Sequence, residues 1–586
     1  MKTTKKLLPL LFWLVTGIAV FIWLQHYLEF HFYYVEQLQL FLYSKPFLSE
    51  LLFSFGGLSE LIARWLLQFF IHPKVGALVT TVLLLCVAIL MKGIIKKINP
   101  KVSLILLPLL TAVCIGFLHL NQNYYVAGTV AYIFALAGFL LYLHIERPVV
   151  RVIVSSLLTL LLFWWAGPVA FLFVVTVILW QLLTARKGVL YALVPLVVFA
   201  VLTYVGVRLS WVGDYKQALL PTLFFHSKMT PPPMIYFPWA LLLLLVAVSY
   251  LLRNLKISRG LQYTVVAVQL LVVPVIAYGL IPTYGQRSTA DYKKMDYYFR
   301  MERWNDIIEE SKKPITNLLH AYYLNIALME IDQLGQQFLR FDQKGTEGLI
   351  PILDKGFPSL KVSNELYFTL GDIAASQWLA FEANLTVSKT GSPRFYKRLA
   401  QTNLINGEYP VAEKYIRLLE QTHAYKGWAT EQRRFLYNDQ AVEEDPLLGK
   451  KRRGLPTENY LLITSDLVYK VNCLLKADST NRSAFDYLAS IFLFDKRLSL
   501  FIDLVDSYCT TEESLRGLPE KFQEAIIVFH ESDPSAWERY NVSPQIAEKY
   551  RSYKELYLKN RSDPRVEDIL YRSFGNSYWL YYMFNE

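Results

Sequence analysis

The feature that most constrains this chain is a break in its apolar patterning near residue 282. Before the break, apolar runs of membrane-spanning length follow one another with short interruptions. After it, charged residues are frequent and no long apolar run returns. A bilayer core takes about 20 apolar residues in helical form. On that ruler the sequence predicts spans near 7–25, 75–95, 102–120, 124–144, 149–165, 167–185, 188–207, 237–252 and 260–282. The fifth and sixth are separated only by Ala166-Gly167-Pro168, which predicts a tight helical hairpin. The expected fold class is therefore all-α, with a polytopic transmembrane bundle of about nine spans over residues 1–285. A water-soluble helical domain over 286–586 follows it.

The cations set an expected orientation. Alternate connections carry Lys2, Lys5 and Lys6; Lys92, Lys96, Lys97 and Lys101; Arg147 and Arg151; Arg186 and Lys187; and Arg253, Lys256 and Arg259. The opposite connections are poorer in them. Positive residues stay on the cytoplasmic side, so the N-terminus is expected in the cytoplasm and the second half outside, which in a bacterium is the periplasm. The apolar run after Met1 to Lys6 also resembles a signal peptide. No small-residue cleavage site follows it, and an uncleaved first span is expected.

Net charge is +11, yet the distribution argues against nucleic acid as a partner. The N-terminal cations flank spans, and the later ones are interleaved with Asp and Glu, so no basic stripe forms. Of four cysteines, Cys86 and Cys114 fall inside spans. Cys473 and Cys509 are able to pair only in an oxidising compartment. No CxxC or Cys/His cluster points to zinc; no cofactor is expected, and a divalent metal is not indicated.

Two long connections hold the candidate site. In 26–74, the stretches Tyr33–Leu42 and Leu58–Phe70 are amphipathic and aromatic-rich, the composition of helices lying in the interface plane. His26, Glu29, Tyr33 and Glu36 are spaced to share one face of a helix continuing from the first span. Glu50 and Glu60 follow. A carboxylate at the membrane surface is costly when dehydrated and then marks function; the plainer alternative is a face meeting water among the headgroups. In 208–236, Asp214, Lys216, His226 and Lys228 precede Pro231-Pro232-Pro233. Cations there are suited to a phosphate on a lipid carrier, with Arg287, just past the last span, as a third. A solvated loop is the alternative.

The second half reads as helical hairpins. Asn406-Gly407-Glu408-Tyr409-Pro410-Val411-Ala412 resembles the turn and second helix of a tetratricopeptide unit, with weaker copies at 298–310 and 487–505. Stacked hairpins of this kind bind peptides or proteins on concave surfaces. The triplets Asn481-Arg482-Ser483 and Asn560-Arg561-Ser562 match a glycosylation pattern too common to carry weight.

This organisation resembles the GT-C superfamily of glycosyltransferases, in which the first external loop carries an acidic residue and the sugar donor is linked to a polyprenyl phosphate. The runs Glu36-Gln37-x-Gln39-Leu40-Phe41 and Gly56-Gly57-Leu58 look closer to an uncharacterised family of bacterial membrane proteins with tetratricopeptide-like tails. The GT-C resemblance implies Glu36 as general base, where the common residue is Asp. It implies substrate-binding parts for His26, Glu29, Tyr33, Glu60, Lys216, His226, Lys228 and Arg287. The implied partners are the bilayer, a lipid-linked sugar donor and a periplasmic acceptor, protein or glycan, gathered by the repeats. A non-catalytic scaffold for an envelope assembly is the competing expectation. A transporter ranks below both, because ionisable residues are nearly absent within the spans.

Overall fold

The computed structural model describes residues 2–100, 106–184, 189–254, 259–284, 287–352, 356–387, 391–457 and 466–584. Two compact units emerge: Met1–Ala290 with Gln421–Ala424, and Asp291–Glu420 with Tyr425–Glu586. Among the described residues the regular structure is helical, with one isolated antiparallel bridge between Tyr124 and Phe225.

The first unit opens with α1 (Lys2–Glu36), 35 residues long. At 1.5 Å per residue it runs roughly 52 Å, well beyond the ~30 Å of a bilayer core. The expected continuation from the first span to Glu36 is thus one unbroken helix. The stretch Tyr33–Leu42 is not a separate interfacial helix: it ends α1 and then leaves helical geometry. Two short helices follow, α2 (Lys45–Leu52) and α3 (Gly57–Leu67), and then α4 (Pro73–Ile98), α5 (Leu107–His119), α6 (Val126–His144), α7 (Pro148–Ala166), α8 (Val169–Thr184), α9 (Val189–Arg208), α10 (Tyr215–Leu219), α11 (Phe237–Leu251) and α12 (Arg259–Tyr284).

Among the described residues, six helical segments are long and apolar enough to cross a membrane: Leu11–Glu36, Pro73–Ile98, Val126–His144, Pro148–Ala166, Leu190–Arg208 and Pro233–Asn254. This corrects the expected nine. At the third position helix starts only at Leu107, with Pro108 in its first turn, leaving 13 residues. At the sixth, the Gly167-Pro168 turn takes the opening residues, so that α8 starts at Val169 and has 16 described residues. The ninth falls on α12, several of whose side chains lie outside the described residues.

Helix α4 packs on α1, α5 and α6, while α3 packs on α6 and α7. One contact ties two features that the sequence presents far apart. Gly56 and Gly167 both have positive φ, +75° and +64°, and touch backbone to backbone; a Cβ on Gly56 would lie 3.4 Å from the Gly167 nitrogen. The positive φ favours glycine at both. The α7–α8 hairpin turn is thereby docked on the start of α3. The second long connection is pinned too: Tyr125 N donates to Phe224 O at 2.9 Å, and His226 N to Asn123 O at 2.9 Å.

The second unit is built from consecutive helical hairpins. Its early helices are α13 (Arg287–Arg300), α14 (Trp304–Glu310), α15 (Leu318–Glu330), α16 (Leu334–Gln337), α17 (Phe357–Leu370), α18 (Ile373–Val387), α19 (Pro393–Ile405) and α20 (Tyr409–Glu420). Chain neighbours α17 to α20 pack in succession. Gly407 sits at φ +77° in the turn expected from its motif, and Ala412 is fully buried. A buried polar chain joins α13, α17 and α19. Asp296 accepts from Arg394 Nη1 at 2.6 Å and Tyr323 Oη at 2.8 Å, with Lys361 Nζ 3.0 Å away. Arg394 also donates to Glu365 from Nε and Nη2, at 3.0 and 2.9 Å, and Glu365 pairs with Arg398. Farther on, Arg452 donates to Leu404 O and Ile405 O at the end of α19. Asn481 donates to Leu370 O and accepts from Ala484 N, so its side chain is committed to structure.

Candidate functional site

Helix α1 carries its acidic constellation as the spacing predicts, and burial rises along it. His26 is exposed, its ring 5.4 Å from that of Tyr27; Glu29 is half-buried, Tyr33 is buried, and Glu36 is 3% exposed. Glu36 is the last residue of α1. A carboxylate there is disfavoured twice, by loss of water and by the negative end of the helix macrodipole. Such a placement persists only with support from its surroundings. Glu36 and its neighbours Tyr33, Tyr34 and Gln37 each make a polar, ring or electrostatic contact.

The last turns of α1 meet the short 3-10 turn after α3 (Gln68–Ile71) through Phe32 and Phe70, whose rings stand edge to face at 5.2 Å. One turn earlier, α3 holds an ion pair between Arg64 and Glu60. The Arg64 side chain is 6% exposed and that of Glu60 35%, so the guanidinium lies inside and the carboxylate at the rim. Tyr125, directly before α6, is within electrostatic reach of both. Gln68 Nε2 donates to Tyr43 Oη at 2.9 Å. These polar groups form a layer where the first long connection closes over the helices. Beside it lies a second buried polar group: His119 Nε2 and Tyr124 Oη approach Thr129 Oγ1 at 2.9 and 3.1 Å.

Glu60 is therefore placed with Arg64, a residue that the sequence pattern alone does not single out. The buried small residues Ser59 and Ala63, set on one face of α3, are the signal that would have found it, because they mark a close-packed face beside which Arg64 is carried inward. Lys216, in α10, and Lys228 are exposed, and neither ammonium has an ion-pair or hydrogen-bond partner among the described residues. His226 is half-buried and accepts from Lys228 N at 3.3 Å. The side chain of Arg287 lies outside the described residues. Among the described residues no group of three or more His, Cys, Asp or Glu is arranged to hold a metal ion. The four cysteines are free.

Fold and site together define a class: an all-helical protein with several helices fit to span a membrane, carrying a buried carboxylate at the end of the first of them and an inward-facing guanidinium on the connection that follows. A family model described as a family of unknown function (DUF6057) matches residues 3–585, and the chain belongs to that family. No curated protein and no solved structure matches the chain.

Proposed function

We propose that this protein is a membrane-embedded glycosyltransferase of GT-C-like organisation. In this reading the N-terminus is cytoplasmic, and the units meet their substrates on the periplasmic face of the inner membrane. The protein moves a sugar or oligosaccharide from a polyprenyl-phosphate carrier to a protein or glycan acceptor. The observation that carries the reading is Glu36, a carboxylate buried at the C-terminus of α1, where both solvation and the helix dipole oppose it.

In the proposed mechanism Glu36 takes the proton of the acceptor hydroxyl as that oxygen attacks the anomeric carbon. The carbon–oxygen bond to the carrier phosphate breaks as the new glycosidic bond forms. Arg64 is the cation best placed to meet the departing phosphate, since a dehydrated guanidinium forms paired hydrogen bonds to phosphate oxygens; Glu60 at the rim gives it up when the phosphate enters. Lys216, Lys228 and Arg287 serve the approach of the carrier. The second unit, a run of helical hairpins that we read as tetratricopeptide-like, gathers the acceptor.

The reading is tested by expressing Glu36→Gln in cells lacking the wild-type gene and following glycan transfer in isolated membranes. Loss of transfer at unchanged protein level supports it. Full activity of the variant, together with loss on deleting 290–586, favours instead a scaffold whose working part is the hairpin array.

A further inference from the structure

At one end of the first unit, α7 and α9 finish side by side. Gly206, near the end of α9, faces the Phe163 ring so closely that a Cβ would lie 3.4 Å from its tip, and the rings of Trp164 and Trp211 stand 5.2 Å apart. Phe55, on the turn before α3, packs against Phe163 at 4.8 Å. Around this junction large aromatic side chains point away from the protein: Phe53 is 77% exposed, Trp165 40% and Trp211 47%. Farther along α7 and α9 the outward residues are apolar, among them Leu160 and Val201. A spanning helix turns such a face to acyl chains, and a collar of Trp at its end is the composition of a membrane–water boundary.

Two cations stand at the same end. Arg208 closes α9, exposed, with its guanidinium 5.6 Å from the Tyr204 ring centre. Lys216 lies exposed on α10, which packs on α8 and α9. Neither pairs with a carboxylate among the described residues. Their position also runs against the segregation seen in the sequence, where cations gather at the opposite ends of these helices, at Arg147 and Arg151 and at Arg186-Lys187. Unpaired cations on the cation-poor side, above an exposed aromatic collar, complement a phosphate held at headgroup depth.

We propose that this junction is a docking site for one phosphate-bearing lipid of the surrounding leaflet. Arg208 and Lys216 hold its headgroup phosphate, and Trp165 and Trp211 lie against its glycerol region. The inference shares Lys216 with the transferase reading but needs neither Glu36 nor Arg64, so it survives if Glu36→Gln leaves glycan transfer intact.

The test is native mass spectrometry of the full-length chain released from detergent and titrated with phosphatidylglycerol. One saturable lipid is expected on the wild type. Arg208→Gln with Lys216→Gln is expected to bind roughly thirtyfold more weakly, and either substitution alone about fivefold. Lys74→Gln, an exposed cation at the start of α4, leaves binding unchanged. Diacylglycerol of the same acyl chains is not retained, and millimolar inorganic phosphate does not displace the lipid. Should the double variant melt early, the fivefold loss in each single variant decides the question in its place. Retention of phosphatidylglycerol by the charge variants at wild-type strength overturns the proposal. Equal retention of diacylglycerol overturns it too, since that outcome describes boundary lipid without headgroup recognition, and displacement by free phosphate assigns the site to the ion.

Discussion

Arg394 holds two buried carboxylates at once, and its removal gives a calculable loss. In Arg394→Met the aliphatic stem is kept while three short charge-assisted hydrogen bonds disappear, one to Asp296 and two to Glu365. Asp296 keeps Tyr323 and Lys361; Glu365 keeps Arg398. Removing one partner of a buried ion pair costs about 3–5 kcal/mol, mostly from the charge left behind. Because Asp296 retains the Tyr323 hydroxyl and Glu365 retains Arg398, the lower half of that range, about 3–4 kcal/mol, is expected. Hydrogen exchange on the full-length protein reads this directly, as faster exchange in peptides covering α13, α17 and α19. A loss below about 1 kcal/mol, the value of an exposed pair, refutes the reasoning.

Other consequences follow from single positions. A Cβ on Gly57 would lie 1.8 Å from Leu51 O, so Gly57→Ala is expected to prevent α2 and α3 from closing, seen as low yield of folded protein in detergent. Arg452→Ala strips the bonds to Leu404 O and Ile405 O and is expected to cost about 2 kcal/mol, measured by thermal unfolding. Burial pushes the Lys293 and Lys361 ammoniums down to about 7, so between about pH 7 and 10 the unfolded chain binds more protons than the folded one. Stability of the second unit should therefore rise with pH across that window, by up to about 1.4 kcal/mol per unit for each lysine, and Lys361→Met should flatten the rise. A flat or falling wild-type profile contradicts this.

Much of the helix plan was legible because it is local. Apolar runs, the Gly167-Pro168 turn and the spacing from His26 to Glu36 each act within a few residues, and α1 continues as that spacing requires. Span number was less legible, since an apolar run does not by itself show where its helix begins, as at Leu107. The site was half legible. Glu36 could be chosen from its position after the first span, but Arg64 owes its burial to α6 and α7, which lie far along the chain. The same holds for the Gly56–Gly167 contact and for Arg452, which reads as one cation in the run Lys450 to Arg453 until α19 places its carbonyls beside it.

The central claim, that Glu36 serves transfer from a lipid carrier, is tested most directly by mass spectrometry of the polyprenyl-phosphate lipids in cells expressing Glu36→Gln as the sole copy. The account predicts that the sugar-charged carrier accumulates while its acceptor product falls. An unchanged carrier pool, with the variant present at wild-type level in the membrane, would contradict it.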